Sequence, residues 1–300
     1  MGMDESHDNA TISSVRICLI VVILVSLVAL FDAIEAPPAQ SRSDQPRSLS
    51  GSENASLPPL DDIIKKMVER ANRQDDAAAE LQYESRLITT IQTLSGDNVT
   101  ETDRSVYRRY PLEGQLYEEL LERNERPLNE REQREERKKR QEFIRQAREV
   151  AGQDRKLIET NDERQVRLGW NLINRFEASV VGAQKIDEEE CWKVSFTPRR
   201  RKQPEKTRLD KMFNHSRGTL YIAQEDYGLR RIDFQMQNSV RYLWGLATLR
   251  HAEGRLEFER VQADVWLPKR FDFDINLRIF FRSKRQRIIR EWVERQVLAY

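Results

Sequence analysis

Residues 271–279 of this 300-residue chain read FDFDINLRI, and that pattern constrains the fold more than any other feature. Phe271, Phe273, Ile275, Leu277 and Ile279 alternate with Asp272, Asp274, Asn276 and Arg278. Side chains of an extended strand point to opposite faces with period two, so one face is apolar and the other is wet. A helix would scatter the same residues around its circumference and bury carboxylates. The segment is therefore expected to be a strand of an antiparallel sheet covered on one side. Its apolar face must meet either the protein's own core or an apolar molecule that the protein holds.

The pattern recurs along the chain. In GTLYIAQEDYGLRRIDFQMQ (218–237) two strands flank a turn at Glu225–Gly228, and Ile232, Phe234 and Met236 oppose Arg231, Asp233 and Gln235. GRLEFERVQADVWLPKRFDFDINLRIFF (254–281) is a second pair joined at Ala263–Asp264. Pro268 cannot donate to a ladder, so it is expected at a strand edge or a bulge. CWKVSFTP (191–198) puts Trp192, Val194 and Phe196 on one face. Leu81, Tyr83, Leu87 and Ile91 share a face before a turn at Gly96–Asp97–Asn98. Two segments, 115–128 and 284–296, fit helix or strand equally by period; strand is expected for both, the second because it would close a meander. In all, about ten strands with short connections predict an α+β fold built on one curved antiparallel sheet.

Three helices are expected. Leu60, Ile63, Ile64, Met67, Val68 and Ala71 form an i, i+3, i+4 stripe that must rest on something apolar. Residues 129–155 are a charge run in which Glu135 with Lys139 and Glu136 with Arg140 sit at helical spacing. Phe143, Ile144, Ala147 and Val150 are its only apolar anchor, so it reads as a solvated helix or as an arm that docks a protein partner. A short helical stretch is expected over 161–173.

The run ICLIVVILVSLVALF (17–31) follows Arg16 and is closed by Asp32 and Glu35. At about 1.5 Å per residue it spans somewhat less than the roughly 30 Å hydrocarbon core. It suits a short signal anchor or a long signal-peptide core, and either places residues 37–300 outside the cytoplasm. With an anchor, the body sits on the periplasmic side of the inner membrane. Residues 37–59, rich in Pro and Ser, read as a flexible tether. The domain reading is therefore 1–36 signal or anchor, 37–59 linker, and 60–300 folded body.

Chemistry is sparse. Lys and Arg number 51 against 50 Asp and Glu, so no global field draws the chain to nucleic acid. The basic stretch RRRKQPEK (199–206) lacks aromatic stacking platforms and reads as a solvated loop suited to anionic lipid headgroups. His215 and His251 lie in no metal-ligand spacing, and Cys191 has no neighbouring His. The other cysteine, Cys18, lies in the apolar run, which leaves the body without an internal disulfide. The acidic tip DEEE (187–190) has oxygen ligands for Ca²⁺, but consecutive carboxylates repel and point apart, which favours a solvated turn. No nucleotide or nucleophile-elbow motif is present. The expectation is a protein without catalysis, cofactor or metal; scattered carboxylates keep an envelope hydrolase as an alternative.

The segments CWKVSFTPR, GTLYIAQEDYGLRRIDF and LEFERVQADVWLPKRFDF, with the first amphipathic helix followed by LQYESRL, resemble the outer-membrane lipoprotein-sorting family of the LolA/LolB type. The resemblance spans residues 60–125 and 170–296 and rests on order and scattered positions. It implies an unclosed antiparallel β half-barrel, helices against its concave side, and an apolar cavity between them. It further implies binding of lipid or lipoprotein acyl chains in the envelope of diderm bacteria, as in outer-membrane lipoprotein sorting, without cofactor or catalysis. The apolar N-terminal run and the charged helix depart from the simple carrier, and no functional residue transfers. On this reading Phe234, Met236, Phe271, Phe273, Ile275 and Leu277 line the pocket. The alternatives are that the first helix fills the concavity, or that the fold serves as an interaction or sensor module for a protein partner.

Overall fold

The computed structural model describes residues 57–73, 79–151, 174–201, 203–205, 208–242, 246–262 and 265–298, together with 16–17 and 166–167. Helices are α1 (Leu60–Arg73), α2 (Glu130–Ala151) and α3 (Arg208–Phe213). Strands are β1 (Tyr83–Ser95), β2 (Asn98–Leu112), β3 (Gln115–Arg123), β4 (Arg126–Pro127), β5 (Phe176–Ile186) and β6 (Glu189–Pro198). They continue as β7 (Ser216–Ala223), β8 (Leu229–Met236), β9 (Val240–Tyr242), β10 (Ala247–Gln262), β11 (Val265–Ile279) and β12 (Arg282–Val297).

All twelve belong to one sheet, in the order β4-β3-β2-β1-β12-β11-β10-β8-β7-β6-β5, with β9 also on β10. Every pairing is antiparallel. The chain builds most of the sheet as successive hairpins; β8 pairs with β10 past the short β9, and the last strand, β12, lies against the first, β1. β4 and β5 end the order unpaired with each other, so the curved sheet is an open half-barrel. Residues 115–123 and 282–297, ambiguous by period, are both strands. Pro268 faces Phe258 in β10 where the register shifts between Glu257 and Phe258, a bulge in a central strand that spares the missing donor.

α1 lies on the face that carries Phe271, here the inner face. Its stripe residues Ile63, Ile64, Met67 and Val68 are all buried in the cluster that holds Phe271, Phe273 and Ile275. Each such burial is worth about 1.5–3 kcal/mol, which is what holds a 14-residue helix too short to persist alone.

α2 keeps most of its side chains exposed, as expected of a solvated helix, and its apolar end with Phe143 and Ala147 anchors it on the sheet end at β2 and β3, so it does not project as a free arm. The Phe143 ring sits 4.9 Å from that of Tyr117, and the Tyr117 hydroxyl donates to Glu136 at 2.6 Å. Arg140 donates to the Tyr110 hydroxyl at 3.3 Å, and Arg148 reaches Glu113 at 2.7 Å. Its start is a reciprocal cap: the Glu132 amide donates to Asn129 Oδ1 at 3.0 Å, and the Asn129 amide donates back to the Glu132 carboxylate at 2.9 Å. The sheet has twelve strands against the expected ten or so; β4 and β9, like α3, are too short to show a period. Within the stretch 161–173, Val166–Arg167 pairs with Arg16–Ile17 as a two-residue ladder. The rest of that stretch, residues 18–56 and the Ala263–Asp264 turn lie outside the described residues.

Candidate ligand-binding face

Strand register assembles the inner face in rows. One row runs Phe196–Gly218–Phe234–Gly254–Phe273–Ile288–Ile91 across β6, β7, β8, β10, β11, β12 and β1. The next runs Val194–Leu220–Ile232–Leu256–Phe271–Arg290–Thr89. Large and absent side chains alternate in the first row, so rings of flanking strands close over glycine backbone. A Cβ on Gly254 would stand 2.7 Å from Phe234 Cζ and 3.0 Å from Phe273 Cδ2. With that space free, Phe234 and Phe273 approach to 5.8 Å between centroids, and Phe271 stacks on Phe273 at 5.6 Å.

The six expected lining residues all join this one cluster. Met236, Phe271, Phe273 and Ile275 are buried, with Phe271 at 1% and Phe273 at 2% exposure, while Phe234 and Leu277 are half-buried. Phe273 is thus a packed core residue, and Phe234 and Leu277 keep part of their apolar surface accessible. α1 covers the cluster and is tied down by polar contacts to the β7–β8 turn. Lys66 Nζ donates to the Tyr227 hydroxyl at 2.9 Å, and Arg70 lies 4.0 Å from Asp226. Asp226 also accepts from Trp266 Nε1 at 2.7 Å, and Tyr227 packs on Trp192 at 5.1 Å.

Beyond Phe273 the same face changes character. Phe271 pairs with Arg290, and Arg290 and Arg109 are buried at 3% and 6% exposure. Arg290 binds Glu118 at 2.7 Å, Arg109 lies 3.5 Å from Glu118 and also pairs with Glu80. Burial pushes the Glu118 carboxyl up, but Arg290 and Arg109 together outweigh it and hold it below the usual range. The buried charges are therefore mutually neutralised, a structural arrangement rather than acid–base machinery.

Elsewhere three of the four carboxylates of the acidic tip are engaged by cations: Asp187 and Glu189 by the buried Arg230, and Glu188 by Lys185 at 2.9 Å. Among the described residues no group of three or more His, Cys, Asp or Glu is placed to hold a metal ion. Burial, followed by the nearby Glu189, pushes the Cys191 thiol up to about 11, which disfavours the nucleophilic thiolate. A cavity of about 750 Å³ lies at the basic loop instead, lined by Asn174, Glu177, Arg199, Arg200, Arg201, Gln203 and Pro204. None of the six expected residues borders it. On α2 the outward charges pair along the helix, as Arg131 with Glu135 at 2.8 Å and Arg145 with Glu149 at 3.1 Å.

No family model and no curated protein matches the chain. Solved structures similar to it include a LolA superfamily protein from Nitrosomonas europaea, at 10% identity over 81% of this chain and 96% of that one, TM-score 0.29. A putative outer membrane lipoprotein-sorting protein domain from Vibrio parahaemolyticus matches at 8% identity over 78% and 91%, TM-score 0.31. The MucA/MucB complex of Pseudomonas aeruginosa matches at 10% identity over 80% and 100%, TM-score 0.21. The first of these belongs to the family that the sequence resembles.

Proposed function

We propose that this chain is a non-enzymatic binding protein of the cell envelope that takes an acyl chain, of a lipid or a lipoprotein, against its inner sheet face. The observation that carries this reading is the partly open apolar face. Phe234 and Leu277 retain exposed surface beside buried Met236, Phe271, Phe273 and Ile275. An extended hydrocarbon chain gains about 0.8 kcal/mol per buried CH₂ and needs no directional partner, so a smooth aromatic row suits it. α1 is the adjustable part: its apolar side chains fill the remainder of the face, and its polar ties converge on Asp226 and Tyr227. Lifting α1 exchanges one apolar cover for another, with the helix giving way to the acyl chain. The apolar run 17–31 and the tether 37–59 support an envelope setting.

Displacement of a fluorescent fatty acid tests this directly. The wild type should bind, and Phe234→Ala should weaken binding several-fold with little change in the urea midpoint, because Phe234 is only half-buried. Phe273→Ala, at a packed position, should cost about 3–5 kcal/mol of stability. Absence of fatty-acid binding by the wild type would defeat the reading.

A further inference from the structure

The hairpin joining β11 to β12 turns on two residues, Phe280 and Phe281, with Ile279 paired to Arg282. Phe281 is 100% exposed and Phe280 58%. Phe280 holds a positive φ of 51°, a conformation usually left to Gly, Asn or Asp in such turns. A bulky aromatic there is strained and shields nothing of the protein's own, so neither folding nor solubility accounts for it. The same rim carries Leu246, 48% exposed, whose carbonyl accepts from the Phe280 amide at 2.8 Å. It also carries Val99 of the neighbouring β1–β2 hairpin, 49% exposed.

Charge surrounds this tip on one side of the balance. Residues 278–285 read RIFFRSKR, with four cations and no acid. Arg285 is neutralised by Asp274 at 2.8 Å and Asp97 at 3.1 Å. Lys284 is half-buried, and that burial holds its ammonium below the usual lysine range against the opposing pull of Glu101. Arg278 bonds the Thr248 hydroxyl at 3.3 Å, and Arg282 makes no ion pair among the described residues. Two aromatic rings projecting from a turn, flanked within their own hairpin by Arg278, Arg282 and Lys284, do not form a groove for a protein segment; they fit a fluid interface that yields to them.

We propose that the Phe280–Phe281 tip docks on the surface of an anionic lipid bilayer, the rings entering the headgroup–acyl boundary while Arg278, Arg282 and Lys284 meet the negative headgroups. This surface stands independently of any ligand on the inner face. It lies at the end of the sheet opposite the Asp187–Glu188 turn, since β11 starts beside the β5–β6 and β7–β8 turns and runs away from them to the tip, from which β12 returns.

The test uses the full chain with Cys18→Ser, in which Cys191 is fully buried and stays unlabelled. An environment-sensitive fluorophore is attached at Phe281→Cys or, on the opposite rim, at Glu188→Cys. Both proteins are mixed with phosphatidylcholine vesicles with and without phosphatidylglycerol, after thermal melts confirm that they fold as the parent does. A blue shift at position 281 alone, strongest with phosphatidylglycerol and weakened roughly tenfold by Arg282→Glu with Lys284→Glu, is the expected result. The proposal is overturned by no shift at 281, by equal shifts at 281 and 188, or by indifference to phosphatidylglycerol. A shift that appears without vesicles as protein concentration rises would identify a second copy as the occupant and overturn it equally.

Discussion

On β8, β10 and β11 the inner face is phenyl rings closed over glycine, whereas on β12, β2 and β3 the same face buries Arg290 and Arg109 against the half-buried Glu118. The boundary is one strand wide, since Phe271 and Arg290 are register partners. Apolar contact is non-directional, so one cover can replace another at the first end with modest loss. Buried ion pairs are directional, and each charge depends on its partner remaining in place. The difference teaches where motion can be accommodated: any cover that is to be exchanged belongs over the rings, while the charged end is a directional frame, backed on its other face by α2 through Tyr110 and Tyr117.

The sharpest break of this comparison comes from the charged end. Arg290→Met strands Glu118 without its nearest cation and should cost about 3–5 kcal/mol, read from urea melts, whereas Arg290→Met with Glu118→Leu should recover most of that loss. If the double variant stays as unstable as the single one, the ion pair is not what the frame depends on.

At the apolar end the corresponding change is smaller. Gly254→Ala drives a methyl against Phe234 and Phe273 and should cost about 1–3 kcal/mol, since both rings can give a little. Adding Phe234→Ala should relieve part of it. A neutral Gly254→Ala would mean that the rings do not close over β10 as described.

The smallest effect at neutral pH is the most specific in sign. Glu118 sits below its unfolded value of about 4.3, so its contribution is complete above that value and is lost as pH falls through the folded one. In Arg290→Met burial gains the upper hand and the carboxyl rises. The stability deficit of that variant should therefore narrow as the solution is acidified. Urea midpoints measured side by side from neutral to acid pH would show it, and a deficit independent of pH would rule out the assigned pairing.

Much of the frame was legible beforehand because period two is a local property: 271–279 and 230–236 place their apolar residues on one face whatever they pair with. α2 was legible as a helix from its i, i+4 charges, and Asn129 with Glu132 at cap spacing is a start signal written in the sequence. Its packing was not legible, because Tyr110 and Tyr117 look like ordinary strand residues until Phe143 and Glu136 are brought to them. Likewise Gly218 and Gly254 look like weak points within strands. Only register reveals them as the seats of Phe196, Phe234 and Phe273.

The sequence by itself determined that this chain makes a one-sided antiparallel sheet with an amphipathic helix to cover it, since backbone alternation and helical periodicity depend on neighbours a few residues away. Tertiary structure alone decided that β12 closes on β1, and that Arg290 meets Glu118 across 172 residues of chain. It also decided that the apolar face of 271–279 is core at Phe271 and Phe273 yet partly open at Leu277. Those outcomes depend on which distant surfaces arrive together, because burial is a property of the assembled layers and not of any strand within them.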